Sequence, residues 1–233
     1  MSEFLKALGE FSFEPFLLSF KLALTTTVIL FFIALPLAWY LSQTKSKCKP
    51  FLEALTALPI VLPPSVLGFY ILYALGRYSP IGAFFRDVFD IRLVFNFTGL
   101  VIASCFYSFP FMVQPLQSGF EALNKNLLEA SYISGKGKLE TILKIALPNI
   151  KSSLITALII TFAHTVGEFG VVLMVGGSIP GETRTASVAI FEFTEEPNYL
   201  GAHIYSAIMI IISFAVLLLV YTFNHNQKRL RLS

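Results

Sequence analysis

The sequence predicts an all-α integral membrane protein with five transmembrane helices and a helical elbow on the cytoplasmic side. Three observations carry that prediction. Of 233 residues, 55% are apolar and 13% charged, with a mean hydropathy of +0.73, far outside the balance of a soluble domain. Five segments are apolar over roughly the 20 residues that a bilayer's hydrocarbon core requires. The basic residues fall into alternate loops, the pattern that orients membrane helices.

The spans run at about residues 16–41, 52–75, 97–116, 154–175 and 201–223, within one transmembrane domain covering residues 1–233. Before the first span, Glu3, Lys6 and Glu10 precede a long apolar run with no small-residue cleavage site behind it, so the first span is read as retained. The first loop carries Lys45, Lys47 and Lys49. The third, residues 121–150, carries Lys125, Lys136, Lys138 and Lys144, with Lys151 beyond it, and the tail carries Lys228, Arg229 and Arg231. These belong in the cytoplasm. The loop with Arg77, Arg86, Asp87, Asp90 and Arg92, and the acid-rich one with Glu182, Glu192, Glu195 and Glu196, alternate as outside loops. Five crossings then place the amino terminus outside and the carboxyl terminus in the cytoplasm.

Prolines interrupt the apolar runs. The second span holds Pro59, Pro63, Pro64 and Gly68, and the third ends with Pro110 and Pro115. Each proline removes a backbone donor, which leaves two readings open: simple kinks, or broken helices lining a path. No internal repeat is visible, which weakens the case for a single-chain transporter of inverted repeats.

Catalytic chemistry finds little support. His164, His203 and His225 form no HExxH pair, and Ser65, Ser104 and Ser108 are scattered among apolar residues, where hydroxyls satisfy neighbouring backbone. Cys48 and Cys105 lie in unlike surroundings and imply neither a disulfide framework nor a metal site. With 24 Phe and one Trp, the aromatic surface reads as lipid contact and helix packing. His164 and Glu168 stand one turn apart within the fourth span, open to a proton relay, a structural contact or a place near the wet end of a path. Gly167 and Gly170 beside them suggest close helix approach.

The third loop contains LLEASYISGKGKLETILKIALPNI, Leu127 to Ile150. Leu139, Ile142, Leu143, Ala146 and Leu147 follow helical spacing, with Lys138, Glu140, Thr141 and Lys144 on the other side. Leu127, Leu128, Ala130 and Ile133 define a shorter helical piece upstream. Gly135 and Gly137 supply the turn, and Pro148 redirects the chain before the fourth span. Such an elbow can rest on lipid headgroups or dock a soluble partner. Gly135-Lys136-Gly137-Lys138 fails as a phosphate loop, because position 130 is alanine and neither lysine precedes Ser or Thr. If ATP drives the protein, another chain binds it.

Glu129-Ala130-Ser131, three residues, Gly135, nine residues, then Ile145-Ala146-Leu147-Pro148 resembles the E-A-A loop of ABC importer permeases, with Ser131 in place of the second alanine. Leu58–Gly82 and Gly167–Glu192, with their VLPP and GGSIPGETRT runs, resemble molybdate ABC transporter permeases, and the likeness covers nearly the whole chain. Sulfate and thiosulfate permeases share parts of these features, so tungstate or sulfate/thiosulfate is the alternative substrate, and a self-contained secondary transporter is the alternative class.

The resemblance implies an ABC importer permease fold with a coupling helix docking on a separate ATPase subunit through Leu127, Glu129, Ala130, Ser131, Ile133 and Gly135. It implies a homodimer whose path alternates between the two sides of the inner membrane. ATP and Mg are used by the ATPase, no cofactor is held by this chain, an extracytoplasmic oxyanion-binding protein delivers substrate, and nucleic acid has no part. An anion needs donors but not tight retention, so hydroxyls and amides are expected rather than rings of arginine. Thr183, Arg184, Thr185 and Ser187 cluster in the outer segment 176–192, where they supply such donors or else cap a short helix. Pro63, Pro64 and Ser65, together with Glu168, are the second set of path candidates.

Overall fold

In the computed structural model, which describes residues 11–232, all regular elements among them are helices. In chain order they are α1 (Glu14–Gln43), α2 (Lys49–Val61), α3 (Pro64–Leu75), α4 (Pro80–Phe89), α5 (Phe97–Glu121), α6 (Lys125–Ile133), α7 (Lys138–Asn149), α8 (Lys151–Val166), α9 (Gly170–Gly176), α10 (Ala186–Glu195) and α11 (Tyr199–Leu232). Glu3, Lys6 and Glu10 lie outside the described residues, as do the side chains of His225, Lys228, Arg229 and Arg231.

Helices α1 and α5, and Tyr199–Leu218 of α11, are long enough and apolar enough to cross a bilayer. The other two expected spans are interrupted. The second is α2 plus α3, bent by 107°. Its cause is local: Leu62 is extended (φ −71°, ψ 135°) because the ring of Pro63 disfavours helix at the residue before it, and Pro63 itself is extended (ψ 137°) before Pro64 opens α3. The helix is therefore broken here rather than merely kinked. Pro110 and Pro115 behave differently, since α5 runs through both and continues to Glu121, five residues past the expected end.

The fourth span, expected as continuous over 154–175, stops at Val166 and restarts at Gly170. Gly167 caps α8, and Glu168 and Phe169 join the pieces. Hydropathy reads through this break because a change of backbone direction leaves composition untouched. Pro148 does not stop the elbow's second helix: α7 includes it, and the chain turns by 82° at Ile150 to enter α8.

A central trio is formed by α1, α5 and α8. Leu30, Ala34 and Ala38 of α1 pack with Met112, Val113 and Leu116 of α5 and Ala157 of α8 in one buried cluster. Small residues allow the backbones to approach, the main source of helix association where lipid is as apolar as leucine. At Gly119 of α5 a Cβ would stand 2.6 Å from the Cβ of Ser153. Against this trio sit α9 and α3, sharing Ile71, Ala103, Val171 and Val175. Ala186 and Ala189 of α10 pack on Phe16 and Tyr205, and the Tyr205 hydroxyl donates to the Ser12 carbonyl at 2.7 Å. Large apolar side chains on the outer faces, such as Leu17, Leu24 and Phe32 of α1 and Ile210, Ile211 and Phe214 of α11, are exposed, as lipid-facing stripes are.

Candidate functional site

The elbow is built by α6, a glycine turn and α7. Asn124 caps α6 by accepting the Asn126 N–H at 2.9 Å. The helix ends in a Schellman motif: Lys136 N–H donates to Ser131 C=O at 3.2 Å and Gly135 N–H donates to Tyr132 C=O at 2.9 Å. This closure needs a left-handed residue, and Gly135 supplies it with φ +79°. Gly137 has an ordinary negative φ and serves as the N-cap of α7.

The apolar stripe expected on α7 is split. Ala146 is buried, but Leu139 is 70% exposed and Leu143 53%, while Thr141, expected on the polar side, is fully buried. A π-turn over Ile142–Ala146 shifts the helical register, so residues upstream and downstream no longer share the face that a 3.6-residue period assigns them. Thr141 meets Ser131: their hydroxyls lie 2.9 Å apart in a buried contact. Of the candidate docking residues, Glu129, Ala130 and Gly135 are exposed, Leu127 and Ile133 are exposed apolar side chains, and Ser131 is buried at 5%. Tyr132, Ile133, Leu139 and Leu143 together leave the elbow with an uncovered apolar surface. Lys144 pairs with Glu140 at 2.9 Å, and that hydrogen-bonded ammonium holds the Glu140 carboxyl below the ordinary carboxylate range.

The two broken spans meet. A Cβ on Gly170, which opens α9, would stand 2.8 Å from Pro64 Cβ, which opens α3, and one on Gly68 would stand 2.8 Å from Met174 Cβ. Pro63, Pro64 and Ser65 thus adjoin the segment carrying Glu168. Gly170, not Gly167, makes the close approach; around Gly167 the nearest atoms are carbonyls of its own helix at 3.8 Å. Glu168 is 4% exposed, with neither carboxylate oxygen hydrogen-bonded by geometry, and the unpaired hydroxyl of Ser104 is its polar neighbour. His164 turns elsewhere: its Nδ1 lies 2.9 Å from Ser108 Oγ, and its ring stacks on Phe111 at 3.9 Å. The helix ends between His164 and Glu168, so no hydrogen bond joins them among the described residues.

In segment 176–192 the candidate donors are engaged internally. Thr183 is buried and its Oγ1 accepts the Ile179 N–H at 2.9 Å. Arg184 pairs with Glu192 at 2.7 Å and lies over the Phe193 ring. Thr185 Oγ1 is 3.1 Å from Ser187 Oγ, and Ser187 donates to the Glu168 carbonyl at 2.6 Å. These residues brace the start of α10, the short helix that the sequence allowed as their alternative use. A cleft of about 620 Å³ lies beside them, lined by Arg77, Arg86, Arg92, Asp90, Ile179 and Glu182 among others. Within it Arg86 pairs with Asp87 at 2.8 Å, which raises the guanidinium's affinity for its proton.

Sequence reasoning missed three features. Thr141 was hidden by the π-turn. The arginine cleft is assembled from α4 and three loops, which no local pattern joins. Lys21, whose ammonium lies 4.5 Å from the Phe97 ring centroid, was visible as a charge inside an apolar run.

Residues 27–230 match the family described as binding-protein-dependent transport system inner membrane component. The chain is 45% identical over 92% of its length to the molybdenum transport system permease protein ModB of Azotobacter vinelandii, covering 95% of that protein. It is 32% identical to the Escherichia coli K12 ModB, with 87% of each chain covered, and 31% identical to a probable sulfate transport system permease protein of Chlorella vulgaris, with 94% of this chain and 82% of that one covered. Among solved structures, a bacterial ABC transporter involved in alginate import superposes with a TM-score of 0.68 over 98% of this chain and 83% of that one at 17% identity, a likeness of fold alone. The chain therefore belongs to the family of binding-protein-dependent transport system inner membrane components.

Proposed function

We propose that this chain is the permease subunit of an ATP-driven importer of molybdate. Two copies form the path, a separate ATPase subunit binds ATP and Mg and docks on the elbow, and an extracytoplasmic binding protein delivers the oxyanion. The observation that carries the substrate reading is the 45% identity to a molybdenum permease along nearly its whole length, against 31% to a sulfate permease. The amino terminus lies outside and the carboxyl terminus in the cytoplasm, which puts the lysine-rich elbow on the ATPase side.

In this reading Leu127, Glu129, Ala130, Ile133 and Gly135 face the ATPase, and Ser131 shapes the surface from within. Closure of the ATPase on ATP draws two elbows together, and the 82° joint between α7 and α8 passes that movement into the central trio. The adjoining breaks at Pro63–Ser65 and Glu168 are where the spans change shape as access alternates, and irregular backbone at membrane depth is tolerated where it is buried in protein or lines a cavity. The arginine cleft lies at the outer entrance. Its positive groups attract an anion while Asp90 and Glu182 limit retention, in keeping with a path that must release what it binds.

The test is uptake into proteoliposomes holding this chain, its ATPase and its binding protein. ATP-dependent accumulation of molybdate, with sulfate a poor competitor, is expected. Preferential sulfate uptake would move the assignment to the sulfate branch, and uptake without ATPase would refute the importer.

A further inference from the structure

We infer that the Ser131–Thr141 hydroxyl pair is the positioning contact that sets the angle between the elbow's two helices and so turns its apolar surface outward. The inference rests on the reading of the elbow as the ATPase dock, and it assigns Thr141, ten residues from the E-A-A segment, a role in coupling.

Three observations converge on it. Ser131 holds the elbow twice, its carbonyl accepting Lys136 N–H in the Schellman closure and its hydroxyl meeting Thr141 Oγ1 at 2.9 Å. Both side chains are shut off from solvent, at 5% and 0% exposure, so each hydroxyl takes the other as its hydrogen-bond partner, one donating and one accepting. Thr141 is also the last residue before the π-turn, and its N–H donates to the Gly137 carbonyl at 2.9 Å. The contact thus clamps α7 where its register changes. Leu139 lies two residues before the clamp and Leu143 two after it, and both point outward with Ile133. The substitution of serine for the second alanine of the motif then has a physical use, since alanine there would leave the Thr141 hydroxyl buried and alone.

The energetics make a distinctive prediction. Removing one of two buried hydroxyls strands the other, whereas replacing both with apolar groups of similar shape is nearly neutral. Ser131→Ala or Thr141→Val alone should therefore loosen the elbow, and the double substitution should restore it. Thr141→Ser, which keeps the hydroxyl, should behave as the parent chain. Two measurements test this on the full-length protein. Amide hydrogen exchange across residues 125–149 in nanodiscs, without the ATPase, should rise at least about fivefold in either single variant and return to within about twofold in the double. In the assembled transporter, molybdate carried per ATP hydrolysed should fall and recover in parallel.

Unchanged exchange in the single variants overturns the inference, as does a double variant that exchanges as fast as the singles. Exchange that rises and recovers while the transport ratio stays constant supports the hydroxyl clamp and overturns the docking reading instead. A fall in inserted protein with neither exchange nor ratio altered reduces the pair to a folding contact and overturns its positioning role.

Discussion

Gly170 faces Pro64 so closely that a Cβ on the glycine would lie 2.8 Å from the proline's, a separation that real Cβ atoms essentially never show. The contact fastens the restart of one broken span to the restart of the other. Gly170→Val should push α9 from α3 and destabilise the protein by about 1–3 kcal/mol, the usual effect of overpacking. Gly167→Ala should stay within about 0.5 kcal/mol, because nothing but its own helix's carbonyls lies near and its backbone is right-handed. Thermal unfolding of the detergent-solubilised permease separates the two variants.

Glu168 offers the opposite case, a group whose presence packing does not explain. Its carboxyl is buried without a cation and without a geometric hydrogen bond. A carboxyl without a partner is costly to bury ionised, so an isostere that cannot ionise should not weaken the fold. Glu168→Gln should unfold at the same temperature or higher, yet transport more slowly, since an acid retained at such a site serves a purpose other than stability. Higher stability with full transport would remove Glu168 from the path.

These residues also mark how far the sequence could be read. Apolar run length sufficed for α1, α5 and α11, because a hydrocarbon layer sets a length that composition must satisfy. Pro63 and Pro64 announced the α2–α3 break through their own stereochemistry, but nothing distinguished them in advance from Pro110 and Pro115, through which α5 runs unbroken. The α8–α9 break escaped because Gly167 and Phe169 keep the run apolar. On the elbow, Gly135 was legible as a turn, whereas Thr141 and Leu139 were assigned to each other's faces because the π-turn at Ile142–Ala146 puts the residues before it out of register with those after it. The polar residues of segment 176–192 were found as a cluster, but their internal pairing, Arg184 with Glu192 and Ser187 with Glu168 C=O, depends on contacts between segments that spacing does not encode.

The Arg184–Glu192 pair should prove a brace rather than an anion receptor. Its atoms lie 2.7 Å apart, with side chains 27% and 28% exposed. A double-mutant cycle with Arg184→Gln and Glu192→Gln should give a coupling of about 0.5–1 kcal/mol in thermal stability. That coupling should shrink at 1 M salt, where screening acts within about 3 Å. If Arg184→Gln instead raises the apparent KM for molybdate with no coupling to Glu192, the guanidinium contacts the substrate.

Gly135 separates the effect of backbone from the effect of a partner. Its φ of +79° penalises any side chain with a Cβ by roughly 1–2 kcal/mol, least for asparagine. Among the described residues nothing beyond the glycine's own chain neighbours lies within 4 Å of the position a Cβ would take, so side-chain bulk meets no obstacle here. In the permease alone, Gly135→Asn should therefore be the mildest change, and Gly135→Ala and Gly135→Leu should be alike. In the assembled transporter the ranking should change, with Gly135→Leu losing far more ATPase binding than Gly135→Ala if a second protein covers the turn. Co-purification of the ATPase with each variant, set against the variant's own unfolding temperature, measures the difference. Equal retention by alanine and leucine would leave the tip of the elbow uncovered and move the docking surface toward Leu139 and Leu143.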